Sequence, residues 1–304
     1  MENSNIPNEN LEKTARRNTA RAWGKFIIAL LISYFVAPML VTVCIMVGGT
    51  LMPRIPQLGT GLAELVAGLV AALAMIFLGG KKWLRFSGKG LGHAFRLSWP
   101  ILAADVVLVI YTLIGLLRSG TVPAGIGSLL LGVFVLCIGV GVFEETVFRG
   151  VLLNGALAPL GKSRTWVLIC VIAVSLWFGK VHVGNLDASD TTALILAILK
   201  ILQAGFFGVI MSAIVLRTRQ LGGAFLVHML HDFLLMSASA LQTSRSFTAN
   251  YTDSSVGYTG FIAYGILLLI SLPALIWAIR SILKNGDSDH GAFMPAEPET
   301  QAVA

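Results

Sequence analysis

The chain alternates between long apolar runs and short polar segments, and this pattern predicts its secondary structure. About eight runs reach eighteen residues or more, enough for a helix to cross a hydrocarbon core of roughly 30 Å. The runs are too long and too continuously apolar for barrel strands, so helices are the predicted spanning elements. They are expected at 26–48, 60–79, 97–117, 128–157, 166–183, 191–216, 221–242 and 259–283.

The polar ends divide the chain into three parts. Residues 1–25 are polar and basic, and we predict a cytoplasmic tail there. Residues 285–304 are rich in Asp, Glu, Pro and Ala, a composition typical of disorder. Residues 26–284 between them show no internal repeat and no soluble unit. The predicted fold is therefore an all-α, polytopic membrane helix bundle of about eight transmembrane helices.

Composition agrees with this fold. Hydrophobic residues make up 56% of the chain and charged residues only 12%, whereas a soluble domain carries about a quarter charged residues. Most of the surface is therefore expected to face lipid. Cys44, Cys137 and Cys170 all lie within apolar runs, where cysteines usually behave as small hydrophobes, so neither a disulfide framework nor a metal cluster is predicted.

Basic residues report the orientation of the chain. The net charge is +7, but its lysines and arginines form short clusters between apolar runs rather than one basic face, so nucleic acid is excluded as a partner. If the N-terminus is inside, the inside segments hold sixteen of them and the outside segments only Arg54, Arg118 and Arg245. This bias predicts both termini in the cytoplasm, with 49–59 and 243–258 outside.

The fourth predicted helix carries charged residues that are costly in a membrane, about 2.5 kcal/mol or more each. Glu144 and Glu145 are adjacent, and Arg149 lies four residues after Glu145 on the same helical face, where an ion pair can form. Glu144 is then free to face a cavity. A carboxylate held charged by arginine beside one that exchanges a proton suits acid–base chemistry. A purely structural ion pair is the alternative explanation for Glu145 and Arg149.

The fifth and seventh predicted helices carry further polar residues. His182 ends the fifth, and His228 and Asp232 share a face of the seventh. His231 is turned away from them and is interpreted as a satisfied core histidine.

The depths of these residues can be compared by counting from the turns. Glu144 lies nineteen residues before the turn at Ser163 and His182 nineteen after it, so the two are expected at similar depth in an antiparallel pair. His228 lies only some ten residues from the turn at 217–220. That turn must therefore lie deeper, or the helices must be offset.

Three motifs in this order resemble the CPBP family of intramembrane proteases. They are Glu144-Glu145-x-x-x-Arg149, Phe178-x-x-x-His182 and His228-x-x-x-Asp232. The resemblance covers about residues 128–240, the protease core that it predicts. The family comprises type II CAAX prenyl endopeptidases, bacteriocin-processing proteins and bacterial Abi proteins, which implies an integral protein of the prokaryotic plasma membrane.

The resemblance also implies residue roles. Glu144 would activate water with the help of His182, while Glu145 and Arg149 would orient and support the site. His228 and Asp232 would stabilise the oxyanion. The prenyl endopeptidases resemble one another in having Asn at this last position, and an ionised carboxylate cannot donate a hydrogen bond. Asp232 is therefore a weaker oxyanion ligand, or a residue that holds His228 in one tautomer.

A metal is disfavoured, and no cofactor is predicted. Glu144, His182 and His228 are ligand types that suit zinc, and they are the ligands expected if a metal is present. The chain has no HExxH motif, and the resemblance favours a glutamate mechanism.

Two functions are consistent with these features. The first is an endopeptidase whose partner is a peptide or membrane-protein substrate in or beside the lipid bilayer. The alternative is a non-proteolytic immunity or scaffold protein that retains the site for stability or binding. The complete set of Glu144, His182 and His228 favours the peptidase.

Overall fold

The computed structural model describes residues 6–52, 56–120, 125–184, 186–243, 253–284 and 288–294. Within these ranges the secondary structure is helical, and eight helices are long and apolar enough to cross a membrane. The predicted fold class is therefore confirmed. In chain order the helices are α1 (Ile6–Leu31, Ile32–Val36 and Ala37–Leu51), α2 (Pro56–Leu78), α3 (Gly88–Ser119), α4 (Ile126–Glu144, Glu145–Leu153 and Asn154–Leu160), α5 (Arg164–Val181), α6 (Thr191–Thr218), α7 (Gly222–Thr243) and α8 (Gly257–Lys284).

Polar side chains fix where several helices begin. Ser87 accepts a hydrogen bond from the Gly90 amide at the start of α3, and Ser163 plays the same part for α5. Asp190 accepts from two amides at the start of α6. Each such cap contributes about 1 kcal/mol, because it satisfies amides that the helix itself leaves unpaired.

Close backbone approaches hold α2 against α4, and α5 against α6. A Cβ atom on Gly139 would overlap the carbonyl of Gly61, and one on Gly61 would overlap the backbone of Leu136. A Cβ on Gly179 would similarly meet the Ile201 carbonyl. Small residues permit this packing where lipid supplies no hydrophobic drive for helix association.

The turn between α6 and α7 lies level with Gly150 of α4, well short of the end of that helix. The Leu221 amide donates to the Trp83 carbonyl at 2.9 Å, and a Cβ on Gly150 would lie 3.1 Å from a Leu221 methyl group. Helix α4 continues for ten residues beyond Gly150, to Leu160, which is roughly 15 Å. The deeper turn explains how His228, so close to it in sequence, reaches the level of Glu144.

Both predicted tails contain structure. Helix α1 begins at Ile6, because a helix can extend into water beyond the apolar run that marks its membrane part. Residues 288–294 make specific contacts with the helices, although composition alone favours disorder there. The cytoplasmic location of 1–25, and the state of the rest of 285–304, stay predictions.

Specific contacts order the 288–294 segment. Asp289 pairs with Arg219 at 2.7 Å and its amide donates to the Gly161 carbonyl. The Ala292 amide donates to the Asn154 side chain, and the Phe293 ring is buried. Composition predicts disorder here because it does not reveal such long-range contacts.

The predicted topology is tested by labelling single cysteines in a background lacking Cys44, Cys137 and Cys170. Ser254 and Ser288 are both exposed and lie on either side of α8. We expect Ser254→Cys to react with an impermeant thiol reagent in intact cells, and Ser288→Cys only after the membrane is opened. Labelling of both from one side would contradict the eight-span topology.

Candidate active site

A fully buried ion pair on α4 forms the base of the site. The Arg149 Nη1 atom donates to Glu145 Oε1 at 2.9 Å, and the two side chains are 0% and 1% exposed. The same carboxylate oxygen lies 2.7 Å from His228 Nδ1 on α7. Glu145 therefore pairs with Arg149 within α4 and connects α4 to α7 through His228.

Glu144 lies beside this ion pair and is partly exposed. Its side chain is 18% exposed, with Oε2 3.6 Å from His228 Nε2 and Oε1 4.0 Å from His182 Nε2. No hydrogen-bond donor among the described residues reaches its Oε2 atom. This carboxylate is therefore flanked by two histidines without being locked to either.

His182 follows the last turn of α5 and presents one nitrogen to Glu144. Its Nδ1 atom is 2.7 Å from the Phe178 carbonyl, so a proton on Nδ1 leaves the Nε2 lone pair directed to the site. The Phe178 ring packs against the His182 ring at 4.7 Å. The same ring lies 4.3 Å from the Arg149 guanidinium, a cation–π contact.

Asp232 completes the predicted set. Its Oδ2 atom lies 3.4 Å from His228 Nε2, on the side that faces Glu144. Glu145, rather than Asp232, makes the short contact with His228 Nδ1. The structure thus brings together Glu144, Glu145, Arg149, His182, His228 and Asp232, from three helices.

A π-helical segment begins at this site. Helix α4 changes from α to π geometry at Glu145 and returns at Asn154. The side-chain amide of Asn154 donates to the carbonyls of Arg149 and Gly150 at 2.8 and 3.1 Å. Such segments are rare and occur often at functional sites.

Two nearby residues were missed by the motif search. Glu64 on α2 lies close enough to Glu144 and Asp232 to interact with their charges; the signal for it was a lone carboxylate in an apolar run. Phe207 on α6 packs against the His228 ring at 5.0 Å, and no sequence pattern marks it.

His231 belongs to a separate pair. Its Nδ1 atom is 2.7 Å from Asp105 Oδ2, and both side chains are buried. Its ring also stacks on Phe207 at 4.7 Å. This arrangement agrees with its interpretation as a satisfied core histidine.

Metal dependence stays a prediction, with Glu144, His182 and His228 as the ligands expected if a metal is bound. Across the described ranges, no group of three or more His, Cys, Asp and Glu side chains is placed to hold a metal ion. The site's histidine and carboxylate contacts instead form a chain of neighbouring donors and acceptors.

Comparison with known proteins identifies the segment that contains this site. Residues 126–234 match the family model of type II CAAX prenyl endopeptidase Rce1-like proteins. This segment resembles the Rce1-like family. The resemblance to the CPBP family is thereby confirmed, and the match supports an intramembrane protease of CAAX type. No curated protein and no solved structure matches the chain.

The Rce1-like segment extends from the start of α4 into α7. It contains all six predicted site residues, whereas Glu64 on α2 lies outside it. The six predicted site residues therefore come from a continuous part of the chain.

Proposed function

We propose that the protein is an intramembrane endopeptidase that hydrolyses a peptide bond in a membrane-associated peptide or protein. The observation that carries the proposal is the convergence of His182 and His228 on the Glu144 carboxylate, inside the segment that matches a protease family.

Glu144 and His182 are spaced for a shared water molecule. The 4.0 Å between Glu144 Oε1 and His182 Nε2 is too long for a direct hydrogen bond, but a water about 2.8 Å from each atom fits between them. Glu144 removes a proton from this water, and the oxygen attacks the peptide carbonyl carbon. Glu144 then gives the proton to the leaving amine as the C–N bond breaks.

His228 is placed to stabilise the tetrahedral oxyanion. Its Nδ1 atom is held by Glu145, which leaves Nε2 facing Glu144. A protonated Nε2 donates a hydrogen bond to the developing negative charge. Asp232, 3.4 Å away, pairs with that imidazolium rather than binding the oxyanion itself. Glu145 and Arg149 act by positioning His228.

The proposal is tested with purified protein in detergent or liposomes and a library of membrane-associated peptides, with products sequenced by mass spectrometry. We expect cleavage by the wild type and none by Glu144→Ala. Cleavage is expected to persist after dialysis against EDTA, because the mechanism uses no metal. Loss with EDTA and recovery with zinc would overturn the metal-free form of the proposal.

The same assay separates the alternative function. If the wild type cleaves nothing in the library or in native membranes, and Glu144→Ala retains full biological activity, the immunity or scaffold function replaces the peptidase. If the protein is prokaryotic, its substrate is expected to be a leader peptide or another membrane protein rather than a prenylated tail.

A further inference from the structure

A basic cavity lies at the N-terminal end of α3, and none of the six candidate site residues lines it. It has a volume of about 880 Å³ and lies between the first turns of α3 and the turn joining α6 to α7. Four permanent cations line it, namely Arg85, Lys89, Arg96 and Arg217, and no Asp or Glu does. Basic residues scattered by membrane orientation alone need not share one concave site.

The floor of the cavity is an ordered structure. Gln220 is buried, and its amide donates to Ser87 Oγ at 2.9 Å. Ser87 in turn accepts from the Gly90 amide at 3.1 Å. A Cβ atom on Gly90 would overlap the end of the Gln220 side chain, so a larger residue there would displace that amide. The first turn of α3 is thereby fixed against the α6–α7 turn.

Three of the four cations of the cavity are available to an outside anion. Among the described residues, Arg85, Lys89 and Arg96 form no ion pair, and all three are exposed. By contrast, Arg219, two residues after Arg217, pairs with Asp289. Like charges collected in one concave site repel one another, and a bound anion offsets that repulsion.

We propose that this cavity binds a phosphate group carried by an anionic phospholipid of the adjacent leaflet. Arginine guanidinium groups match phosphate oxygens in bidentate fashion, and the amino end of α3 adds a favourable dipole. Exposed aromatic rings favour a lipid as the source. Phe86 lines the cavity and is 62% exposed, and Phe95 and Trp99 follow on α3, as in the aromatic belts of membrane interfaces.

The test compares two triple variants that lose the same charge. Arg85→Gln/Lys89→Gln/Arg96→Gln empties the cavity of three cations, and Lys81→Gln/Arg280→Gln/Lys284→Gln removes three exposed cations predicted on the same membrane side. Thermal unfolding is followed in neutral detergent while phosphatidylglycerol, phosphatidylcholine or inorganic phosphate is titrated in. All six positions are exposed, so both variants are expected to fold.

Phosphatidylglycerol is expected to raise the Tm of the wild type and of the control variant, and phosphatidylcholine to have little effect. The cavity variant should need roughly tenfold more phosphatidylglycerol or more, since charge-assisted hydrogen bonds are lost. Arg85→Lys/Arg96→Lys, which keeps the charge but not the bidentate geometry, should fall between them.

Three outcomes would overturn the proposal. Equal weakening in both triple variants would show diffuse surface attraction rather than a site. Equal protection by phosphatidylcholine would show that the cavity binds the phosphate diester whether or not the lipid carries a net negative charge. Protection by millimolar inorganic phosphate with no further effect of phosphatidylglycerol would retain a phosphate site but reject a lipid source. Lipid that co-purifies with each variant, quantified by native mass spectrometry, gives an independent readout.

Discussion

Replacing Glu144 with glutamine is expected to lower the rate of peptide hydrolysis by at least about 10²-fold while the protein stays folded. The side chain is partly exposed and lies 3.6 and 4.0 Å from its histidine neighbours, so glutamine orphans no buried charge. It keeps the shape of glutamate but cannot accept the proton of an attacking water. Turnover of a defined peptide and thermal unfolding in detergent measure the two effects separately.

A matched control for this variant is Glu64→Gln. Glu64 is a second carboxylate within electrostatic reach of the site, but it lies outside the three motifs and contacts neither His182 nor His228 among the hydrogen bonds and ion pairs of the described residues. We expect it to alter the rate far less than Glu144→Gln. Full activity of Glu144→Gln would remove Glu144 from the mechanism, and equal losses in the two variants would show that general negative charge matters rather than a base.

Replacing Glu145 with glutamine is expected to act on stability instead. The variant leaves Arg149 charged, 0% exposed and without its partner, and breaking a buried pair in this way costs about 3–5 kcal/mol. His228 also loses the carboxylate that holds its Nδ1 atom. The Tm in detergent should therefore fall clearly below those of the wild type and of Glu144→Gln.

The double variant Glu145→Leu/Arg149→Met is the control for the buried charge. It replaces both members of the pair with apolar side chains of similar size, a change that is often close to neutral for stability. We expect it to recover most of the Tm lost by Glu145→Gln, yet to remain inactive because His228 is no longer held. A double variant less stable than Glu145→Gln would argue against an unpaired arginine as the cause.

The eight spans were predictable because a membrane imposes a length and a polarity that are visible locally in the sequence. The site could also be found from the chain, since Glu144, Glu145 and Arg149 are too costly in an apolar run to be accidental. Similar depth for Glu144 and His182 followed from counting residues along a hairpin. These inferences depend only on helical rise and on hydropathy.

Other features depend on tertiary contacts that no local pattern reveals. The depth of the α6–α7 turn follows from the hydrogen bond between Leu221 and Trp83, which are far apart in the chain. The ordered 288–294 segment depends on Arg219 and Asn154. The contact of Glu145 with His228 Nδ1 depends on how α4 and α7 pack. The sequence does not show that packing, so Asp232 was the residue considered for holding His228 in one tautomer.

The π-helical segment of α4 makes the orientation of Glu144 depend on the number of residues in that segment. Hydrogen bonds in Glu145–Leu153 reach one residue further than in an α-helix, so the segment holds a residue that an α-helix would not need. The same residues wound as a regular α-helix would rotate one end of α4 by about 100° relative to the other. Glu144 would then turn away from His182 and His228 although every motif residue was still present. Relatives that keep the chemistry and this length are therefore expected to keep the π geometry as well, even where the apolar side chains of the segment vary.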